Sequence, residues 1–404
     1  MDDENQEHLI DTGFIVYNER TYPNFTKILD DLGVATKPTE MSFSVSCDRT
    51  GLEYNGTSLN GIFAQRRNLL RPSFLQLLRD VLRFNREGKF DYENVPEAQT
   101  VGEYLAEKGY SQQFSQHYLL PMGAAIWSCP YDDFAHFPIR FILQFYVNHG
   151  LLELRDRPIW RVIRGGSKEY VKRMAMPFAE RIRVSCPVHT VRRLEKEVLV
   201  NHAEGSERFD EIVFACHSDQ AIRLLSDPDE LETELLSRFP YSVNTSVLHT
   251  DESVLPRSRR AWASWNYRIA GDRASRPIVT YNMSTLQHIR SKHTFCVTLN
   301  GVDRIVPEKV IAKFRYSHPL FTTQRAAAQR RHDDLIRRRR TSYCGAYWRN
   351  GFHEDGVVSA LAVCQKYGIP GWEDEPKGSV IASSQQLKSV AEDITLGRAG
   401  GRAL

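Results

Sequence analysis

Hydrophobic and polar positions along the first 150 residues change period several times, and each change predicts an element. The alternation over residues 9–17 is that of a strand, although Gly13 interrupts it. The pattern then predicts, in order, a helix over 22–32 that ends at Gly33, a hairpin over 41–54 with its turn at 48–51, and a mostly helical stretch over 71–147 that includes a short helix over 101–108 and is broken at Pro121, Pro130 and Pro138.

The second half of the chain changes from helical spacing to short alternating segments. After the glycine pair Gly165–Gly166 the pattern predicts a helix through 176–181, strands over 183–188, 191–201 and 209–215, a helix over 219–225, and strands over 243–249, 262–267, 278–281 and 295–299. We expect the last four strands to form a separate sheet. Residues 325–340 are expected to be a charged helix or loop in which the arginines at 337–340 are solvated, and the segment from 367 on a loose tail.

Composition limits the class of protein. A chain of 404 residues suggests two domains, which can be interleaved, and 41% hydrophobic with 25% charged residues is typical of globular proteins. The net charge of +3 gives no reason to expect nucleic-acid binding. No apolar run approaches the roughly 18 residues of a spanning helix, which leaves peripheral membrane contact open. The acidic first eight residues are unlike a secretory signal, so we expect a cytoplasmic protein.

The cysteines and histidines suggest no metal site. The seven cysteines are scattered without a C-x-x-C pair, which fits a reducing compartment rather than a zinc site or a disulfide framework. The 13 histidines show no ligand spacing such as H-E-x-x-H, and no G-x-S-x-G elbow points to a hydrolase.

Residues 341–360 form the most informative stretch of the chain. They are expected to form a strand that ends at Gly345, a loop closed by Gly351, and a helix that begins at Asp355–Gly356. A helix N-terminus offers unpaired N–H groups and the positive end of a dipole, which suit a phosphate or an electron-rich flavin edge. The same acidic residues can also simply cap the helix.

The order of these elements resembles the flavin-containing amine oxidase and phytoene desaturase superfamily, and more closely its branch of predicted NAD/FAD-binding oxidoreductases. The segments that carry the resemblance are Asp11–Asn18, Met41–Val45, Leu120–Trp127, Gly165–Gly166, the strand through Val188, and Cys344–Gly356. The resemblance implies an α/β (α+β) fold in which an FAD/NAD(P)-binding Rossmann-like domain is interleaved with a mixed-sheet and helical substrate domain. The implied boundaries are 1–40, 156–225 and 318–366 for the FAD-binding domain, 41–155 and 226–317 for the substrate domain, and 367–404 for a tail.

The resemblance also implies site residues. For FAD these are Gly13 and Phe14 beside the ring, Val188 at the adenine, Gly345 and Ala346 at the pyrophosphate, and Asp355, Gly356 and Val357 at the pyrimidine end of the flavin. Met122, Trp127, Trp265 and Tyr281 would line the substrate cavity. Without the resemblance, most of these residues are ordinary core or capping positions. The sequence identifies no catalytic residue.

One expected motif is missing. A flavoprotein of this type should begin with a strand and a G-x-G-x-x-G loop, and none occurs in the 404 residues, so we expect an N-terminally truncated Rossmann-like domain. A misassigned start codon, a truncated gene and a segment supplied by another chain are the three explanations, and we favour the first. We also expect an empty groove beside the strand that carries Asp11.

The leading hypothesis for function is an FAD-dependent oxidoreductase that oxidises or desaturates a C–N or C–C bond. The region 70–150 is rich in Leu, Phe and Tyr, which favours a small apolar or lipid-like substrate, and a fatty-acyl chain is preferred by analogy with the family. The alternative is a truncated, non-catalytic remnant or a cofactor-free binding protein of the same fold. The absence of the glycine loop supports that alternative.

Overall fold

The structure, a computed structural model, describes residues 6–153, 157–270, 278–322 and 324–369. Its strands are β1 Tyr17–Asn18, β2 Thr36–Pro38, β3 Phe43–Cys47, β4 Glu53–Asn55, β5 Trp160–Ile163, β6 Val188–Arg193, β7 Val198–His202, β8 Gly205–Phe209, β9 Ile212–Phe214, β10 Tyr241–His249, β11 Trp265–Ile269, β12 Ile278–Asn282, β13 Cys296–Leu299, β14 Val310–Pro319 and β15 Thr341–Tyr343. Its α-helices are α1 Pro23–Asp31, α2 Leu59–Ile62, α3 Pro72–Asn94, α4 Val101–Glu107, α5 Gln112–Phe114, α6 Leu120–Trp127, α7 Tyr131–Ala135, α8 Ile139–Asn148, α9 Lys168–Ala175, α10 Ser218–Leu224, α11 Glu230–Leu236, α12 Met283–Leu286, α13 Arg325–Gln329 and α14 His353–Lys366.

The largest sheet has seven strands in the order β14-β10-β13-β12-β11-β3-β4. All its neighbouring pairs are antiparallel except β11 and β3, which run parallel with Trp265 opposite Phe43. The hairpin predicted over 41–54 is confirmed as β3 and β4, and the four later strands share one sheet as predicted. That sheet also contains β14, which the sequence pattern did not reveal.

Helices α3 to α8 form the body that packs beside this sheet. Its core is dominated by fully buried aromatic side chains, including Phe84, Tyr104, Phe134 and Tyr146. The expected break at Pro121 is wrong. The chain is helical on both sides of this proline, and a π-helical turn at Ser115–Leu119 directly before α6 changes the hydrogen-bonding pattern where the proline lacks its N–H.

Three smaller sheets form the remainder of the fold. β1, β5 and β2 are antiparallel, β6, β7 and β8 form a meander, and β15 runs parallel to β9. Helix α14 follows β15, and its Glu354 accepts hydrogen bonds from the backbone N–H groups of Asn24 and Phe25 (3.2 and 2.9 Å), which caps the start of α1. The helix predicted over 22–32 is confirmed.

Two predicted strands are wrong. Residues 9–16 form a loop, because the N–H of Asp11 donates to the side chain of Gln287 (2.9 Å) and Phe14 has a left-handed backbone (φ 53°). Of residues 183–188, only Val188 belongs to a strand, since Ser185 is also left-handed (φ 58°) and Pro187 has no N–H to donate. Of the predicted tail, residues 370–404 lie outside the described residues.

A buried ion pair ties the meander to β15 and α11. Arg193 donates to both carboxylate oxygens of Glu232 (2.6 and 2.8 Å) and to Asp227 (3.0 Å), and the hydroxyl of Tyr343 donates to Glu232 (2.8 Å). Burial alone would raise the pKa of Glu232, but the hydrogen bonds from Arg193, from the backbone of Asp229 and from Tyr343 lower it.

The arginine run at 337–340 is bound to the same region. Arg337 pairs with Glu211, Arg338 with Asp229 and Arg339 with Asp227, at 2.7–2.8 Å. The side chain of Arg340 donates to backbone carbonyls, including that of Asp210 (3.2 Å). The four arginines are therefore partly exposed and bound to neighbouring segments of the chain, which agrees with a structural rather than a phosphate-binding role.

We expect Glu232→Gln to lower the free energy of unfolding by about 3 kcal/mol at pH 7, because it leaves Arg193 buried without its main counter-charge. The pKa of Glu232 is lowered in the folded state, so its contribution is present above about 4.5, its ordinary value, and is lost as the pH falls below it. Urea denaturation at several pH values measures both effects.

Asp219→Asn is the control for that variant, because it removes an exposed pair with Arg223 on one helix and should cost no more than about 0.5 kcal/mol. Equal losses in the two variants would contradict the structural role of the buried pair.

Candidate functional site

One cavity of about 1310 Å³ lies between the loop at residues 8–16, the end of β14 and the segment that links β15 to α14. It is larger than the roughly 300–1,000 Å³ of ordinary small-molecule sites. A groove beside Asp11 was predicted, and the cavity runs along that residue and its neighbours.

Asp11 fixes the loop at residues 8–16 against the glycine pair. Its Oδ1 accepts from the N–H of Ser167 (2.8 Å), and Gln287 donates to its Oδ2 (3.3 Å). Gly166 has a left-handed backbone (φ 86°), which favours glycine, and a Cβ there would also lie only 3.0 Å from Oδ1 of Asp11. Burial raises the pKa of Asp11, although the hydrogen bonds from Ser167 oppose that change.

Phe14 is held in a strained conformation at the cavity. Its left-handed backbone is rare for an aromatic residue, and the hydroxyl of Ser167 donates to its carbonyl (2.7 Å). The ring is 58% exposed and meets His353 edge-on, with 4.9 Å between centroids. The contact with Ser167 therefore holds Phe14 in a backbone conformation that directs its large apolar ring to the cavity.

His353 is the first residue of α14 and stacks on Phe25 at 4.6 Å between centroids. Its Nε2 is buried and has no hydrogen-bond partner among the described residues. Burial lowers the pKa of His353 to about 4, so the ring is neutral at pH 7. A buried nitrogen without a partner is unusual, and this one belongs to a residue of the cavity lining.

A buried arginine shapes the segment between β15 and α14. Arg325 donates to the carbonyls of Tyr347 (2.6 Å) and Arg349 (2.7 Å), and its guanidinium lies 3.5 Å from the ring centroid of Phe321. Burial lowers the pKa of Arg325 to about 9. At Gly345 a Cβ would lie 2.5 Å from the ring of Tyr347, so only glycine fits beside this cavity wall.

Another part of the lining is apolar and comes from the large sheet and α6. Trp265 and Tyr281 meet edge-on at 5.0 Å between centroids, and Leu248, Leu299 and Ile126 lie on the same cavity. Nε1 of Trp265 is buried without a partner in the part of the chain that the structure describes. Burial raises the pKa of Tyr281, which is neutral at physiological pH.

β14 closes one side of the cavity. The hydroxyl of Tyr316 lies 2.7 Å from that of Thr12, which joins this strand to the loop at residues 8–16. His318 Nδ1 lies 2.9 Å from the amide nitrogen of Asn244, and burial lowers the pKa of His318 to about 4. Arg315 is exposed on the same strand and contributes a positive charge to the cavity lining.

The structure brings about half of the predicted site residues together. Those that line the cavity are Gly13, Phe14, Gly345, Ala346, Trp265 and Tyr281. Those that do not are Val188, Asp355, Gly356, Val357, Met122 and Trp127. Their individual roles stay predictions.

The residues away from the cavity have other contacts. Val188 begins β6 and is 37% exposed, and Trp127 packs among Phe134, Phe145 and other rings of the helical core. Asp355 accepts from the N–H of Phe352 (2.9 Å), which is a capping contact, and burial raises its pKa to about 6. Helix α14 begins at His353 rather than at Asp355–Gly356 as expected.

Sequence reasoning missed several cavity residues. His149 directly follows α8, stacks on Phe145 with 3.9 Å between ring centroids, and has its pKa lowered to about 4 by burial. Thr12, Arg315 and His318 also line the cavity. Only the position of His149 before Gly150, at a helix end, could have drawn attention to it.

One group of possible metal ligands occurs in the described ranges, although the sequence spacing suggested none. Ligand atoms of Cys186, His202 and Glu204 lie within 4.8 Å of one another. Cys186 Sγ lies 3.2 Å from Nδ1 of His202, which is a hydrogen-bonding distance, so the group does not require an ion. None of the three lines the cavity.

An interleaved α/β fold, with a large cavity between a glycine-bounded wall and a mixed sheet, is the architecture of an FAD-dependent oxidoreductase. The chain belongs to the flavin-containing amine oxidoreductase family, which it matches over residues 1–280. This confirms the resemblance and the fold class predicted from the sequence. It also identifies FAD as the cofactor and oxidoreduction as the class of reaction.

Solved structures share the fold at low sequence identity. The CLA-producing fatty acid isomerase from P. acnes is 13% identical with a TM-score of 0.61, covering 88% of this chain and 86% of its own. Cyclohexylamine oxidase from Brevibacterium oxydans IH-35A is 14% identical with a TM-score of 0.57, covering 89% and 88%. Reduced UDP-galactopyranose mutase is 12% identical with a TM-score of 0.58, covering 93% and 87%. No curated protein matches the sequence significantly.

The described residues fit one end of FAD better than the other. The cavity lining includes the aromatic rings of His353 and Trp265, whose ring nitrogens are buried, and backbone at Gly166 and Gly345, where a side chain would be strained or would clash. These suit a flat, hydrogen-bonding ring system. For the pyrophosphate the sequence has no G-x-G-x-x-G loop.

Among the described helices, none is both long and apolar enough to cross a membrane.

Because burial lowers the pKa of His353 from 6.5 to about 4, its neutral form stabilises the fold above pH 6.5, and this contribution is lost as the pH falls towards 4. We expect His353→Gln to reduce the pH-dependent loss of unfolding free energy by up to about 3 kcal/mol over this interval. Urea titrations from pH 7 to pH 4 measure the change. His136→Gln, at an exposed ring, is the control, and parallel curves for parent and His353→Gln would contradict the prediction.

Proposed function

We propose that the protein is an FAD-dependent oxidoreductase that oxidises or desaturates a C–N or C–C bond of an apolar substrate, with a fatty-acyl chain as the preferred candidate. The observation that supports this most is the two-sided cavity. One wall is made of glycine-bounded backbone at Gly165, Gly166 and Gly345, and the other is apolar around Trp265 and Tyr281.

In this proposal the residues around Gly345 and the loop at 8–16 hold the flavin. Gly13, Phe14, Gly345 and Ala346 contact it directly, and the ring of His353 forms part of the same lining. Val188, Asp355, Gly356 and Val357 are assigned to FAD by the family resemblance alone. When bound, FAD accepts a hydride or its equivalent from the substrate and passes the electrons on.

The apolar wall would bind and orient the substrate. Trp265 and Tyr281 project from neighbouring strands, and their edge-on contact fixes the two rings relative to each other. Leu248, Leu299 and Ile126 extend the apolar surface, which excludes water from the reacting bond. Met122 and Trp127 lie in the core behind and would act through packing.

The charges of the cavity also favour an apolar or anionic substrate over a cationic amine. Among the described residues that line the cavity, Asp11 is the only acidic one. Both of its carboxylate oxygens accept hydrogen bonds from the protein. Arg315 and Lys168 provide positive charge. The carboxylate of a fatty acid would pair with Arg315, whereas a protonated amine would find no free counter-charge among these residues.

We expect the purified chain to bind FAD and Gly345→Ala to weaken that binding by tenfold or more, because the added Cβ forces the ring of Tyr347 away from its position. Quenching of flavin fluorescence on titration with the protein measures the affinity. Gly56→Ala is the control, since a Cβ at Gly56 meets nothing within 4 Å.

A parent chain that folds cooperatively but takes up no FAD would favour the cofactor-free binding protein. The lack of a glycine-rich phosphate loop is the observation that keeps that alternative in view. Equal affinities for parent and Gly345→Ala would instead remove the segment at 345–347 from the flavin site.

We expect flavin in the loaded protein to be reduced anaerobically by fatty acids, with the half-saturating concentration falling about fourfold for each added methylene until the cavity is filled. Arg315→Gln should raise that concentration for every chain length without changing the dependence on length. Stopped-flow absorbance follows the reduction. Faster reduction by a short polar diamine than by any fatty acid would contradict an apolar substrate.

A further inference from the structure

Helix α3 exposes a stripe of alternating apolar and cationic residues. Its buried face packs on the helical core, while Leu75, Arg79, Leu82, Arg86 and Phe90 are exposed at intervals of three or four residues. That spacing places all five on one face, about 22 Å long. Phe90 is 71% exposed.

The stripe continues into the turn before α3. Leu69 and Leu70 are exposed there, Leu70 to 89%. Arg66 donates to the side chain of Asn60, the neighbour in sequence of the exposed Leu59 of α2. We call the surface of Leu59, Leu69, Leu70, Leu75, Leu82 and Phe90 the α3 face.

Positive charge is concentrated on and around the α3 face. Residues 56–90 contain seven Lys and Arg but two acidic residues, whereas the whole chain has a net charge of only +3. Of the two acids, Asp80 is buried, and Glu87 pairs with Arg83 (3.1 Å) and Arg86 (3.6 Å). Lys89 pairs with Glu153 (2.6 Å), so among the described residues of this segment the unpaired cations are the arginines nearer the start of the helix. Arg67 and Arg71 donate to backbone carbonyls, at Gly51 and Thr50, so these contacts leave their charges uncompensated.

We propose that the α3 face docks the protein on an anionic phospholipid bilayer. Leucine and phenylalanine side chains would insert among the acyl chains at the headgroup boundary. The arginines between them would lay their apolar stems on the same surface and reach the phosphates with their guanidinium groups. Uncompensated positive charge beside exposed apolar side chains is the combination that an anionic interface recognises.

Other occupants fit the α3 face less well. A second copy would bring the same cluster of arginines against itself, since a twofold interface is self-complementary. A nucleic acid would use the arginines but not the six exposed apolar side chains, Leu70 above all. The proposal goes beyond the reaction proposed above, because it requires neither FAD nor the cavity.

Co-sedimentation of the full chain with vesicles tests the proposal. We expect binding to vesicles of phosphatidylcholine that contain about 30% phosphatidylglycerol, which gives them a negative surface. We expect little binding to vesicles of pure phosphatidylcholine. Arg79→Gln should weaken binding about fivefold, and the double variant Leu70→Asp with Phe90→Asp at least tenfold. All three positions are exposed, so the fold should be kept, as circular dichroism would verify.

Matched controls lie elsewhere on the surface. Val184→Asp alters an exposed apolar residue, and Arg223→Gln alters an exposed arginine, and neither should change vesicle binding. Loss of binding in the controls equal to that in the α3 variants would show non-specific attraction and overturn the proposal. So would equal binding to both kinds of vesicle.

Light scattering and DNA titration separate the other occupants. A dimer in solution that becomes monomeric in Leu70→Asp with Phe90→Asp, without vesicle binding by the parent, would assign the α3 face to self-association. Binding to a DNA duplex but not to vesicles would assign the face to nucleic acid. Vesicle binding that persists in FAD-free protein separates this proposal from the enzymatic one.

Discussion

A single buried guanidinium holds the segment on which the cavity depends. Arg325 binds the carbonyls of Tyr347 and Arg349 and forms no ion pair with a carboxylate among the described residues, so backbone dipoles and the ring of Phe321 stabilise its charge. Gln329, one turn later, donates to the same two carbonyls (3.0 and 2.6 Å). Helix α13 thus fixes the path from β15 to α14. Gly345 and His353, at the two ends of this path, owe their positions to it.

Two histidines of the cavity, His149 and His353, are kept neutral, and this follows from how the cavity is built. Aromatic rings surround His149 and His353, and burial disfavours the charged form of each imidazole. The hydrogen bonds that remain come from backbone or from neutral side chains such as Gln287 and Ser167. The acidic and basic side chains in the described lining are Asp11, Lys168 and Arg315, and the buried imidazoles add no charge to them.

Elements with a clear period could be predicted from the sequence, and the cavity residues only in part. The hairpin β3–β4 and helix α1 follow from alternation and helical spacing. β14 was missed because its pattern is mostly half-exposed, with lysine, arginine and serine among its ten residues. His149, Thr12 and His318 come from three segments that are far apart in the sequence. No local sequence pattern predicts that all three line the same cavity. Asp355 shows the converse, since a residue suited to an anion site instead caps its own helix.

The parallel pairing of β3 with β11 has a consequence for the order of events during synthesis. Phe43 lies opposite Trp265, and a serine pair at the same junction, Ser42 with Ser264, is 222 residues apart. At ribosomal speeds of about 5–20 residues per second, β3 waits roughly 10–45 s for its partner to be translated. During that interval the fully buried Val45 and its neighbours present an unpaired strand edge. The nascent chain is therefore most prone to aggregate, and most in need of chaperones, before its central sheet can close.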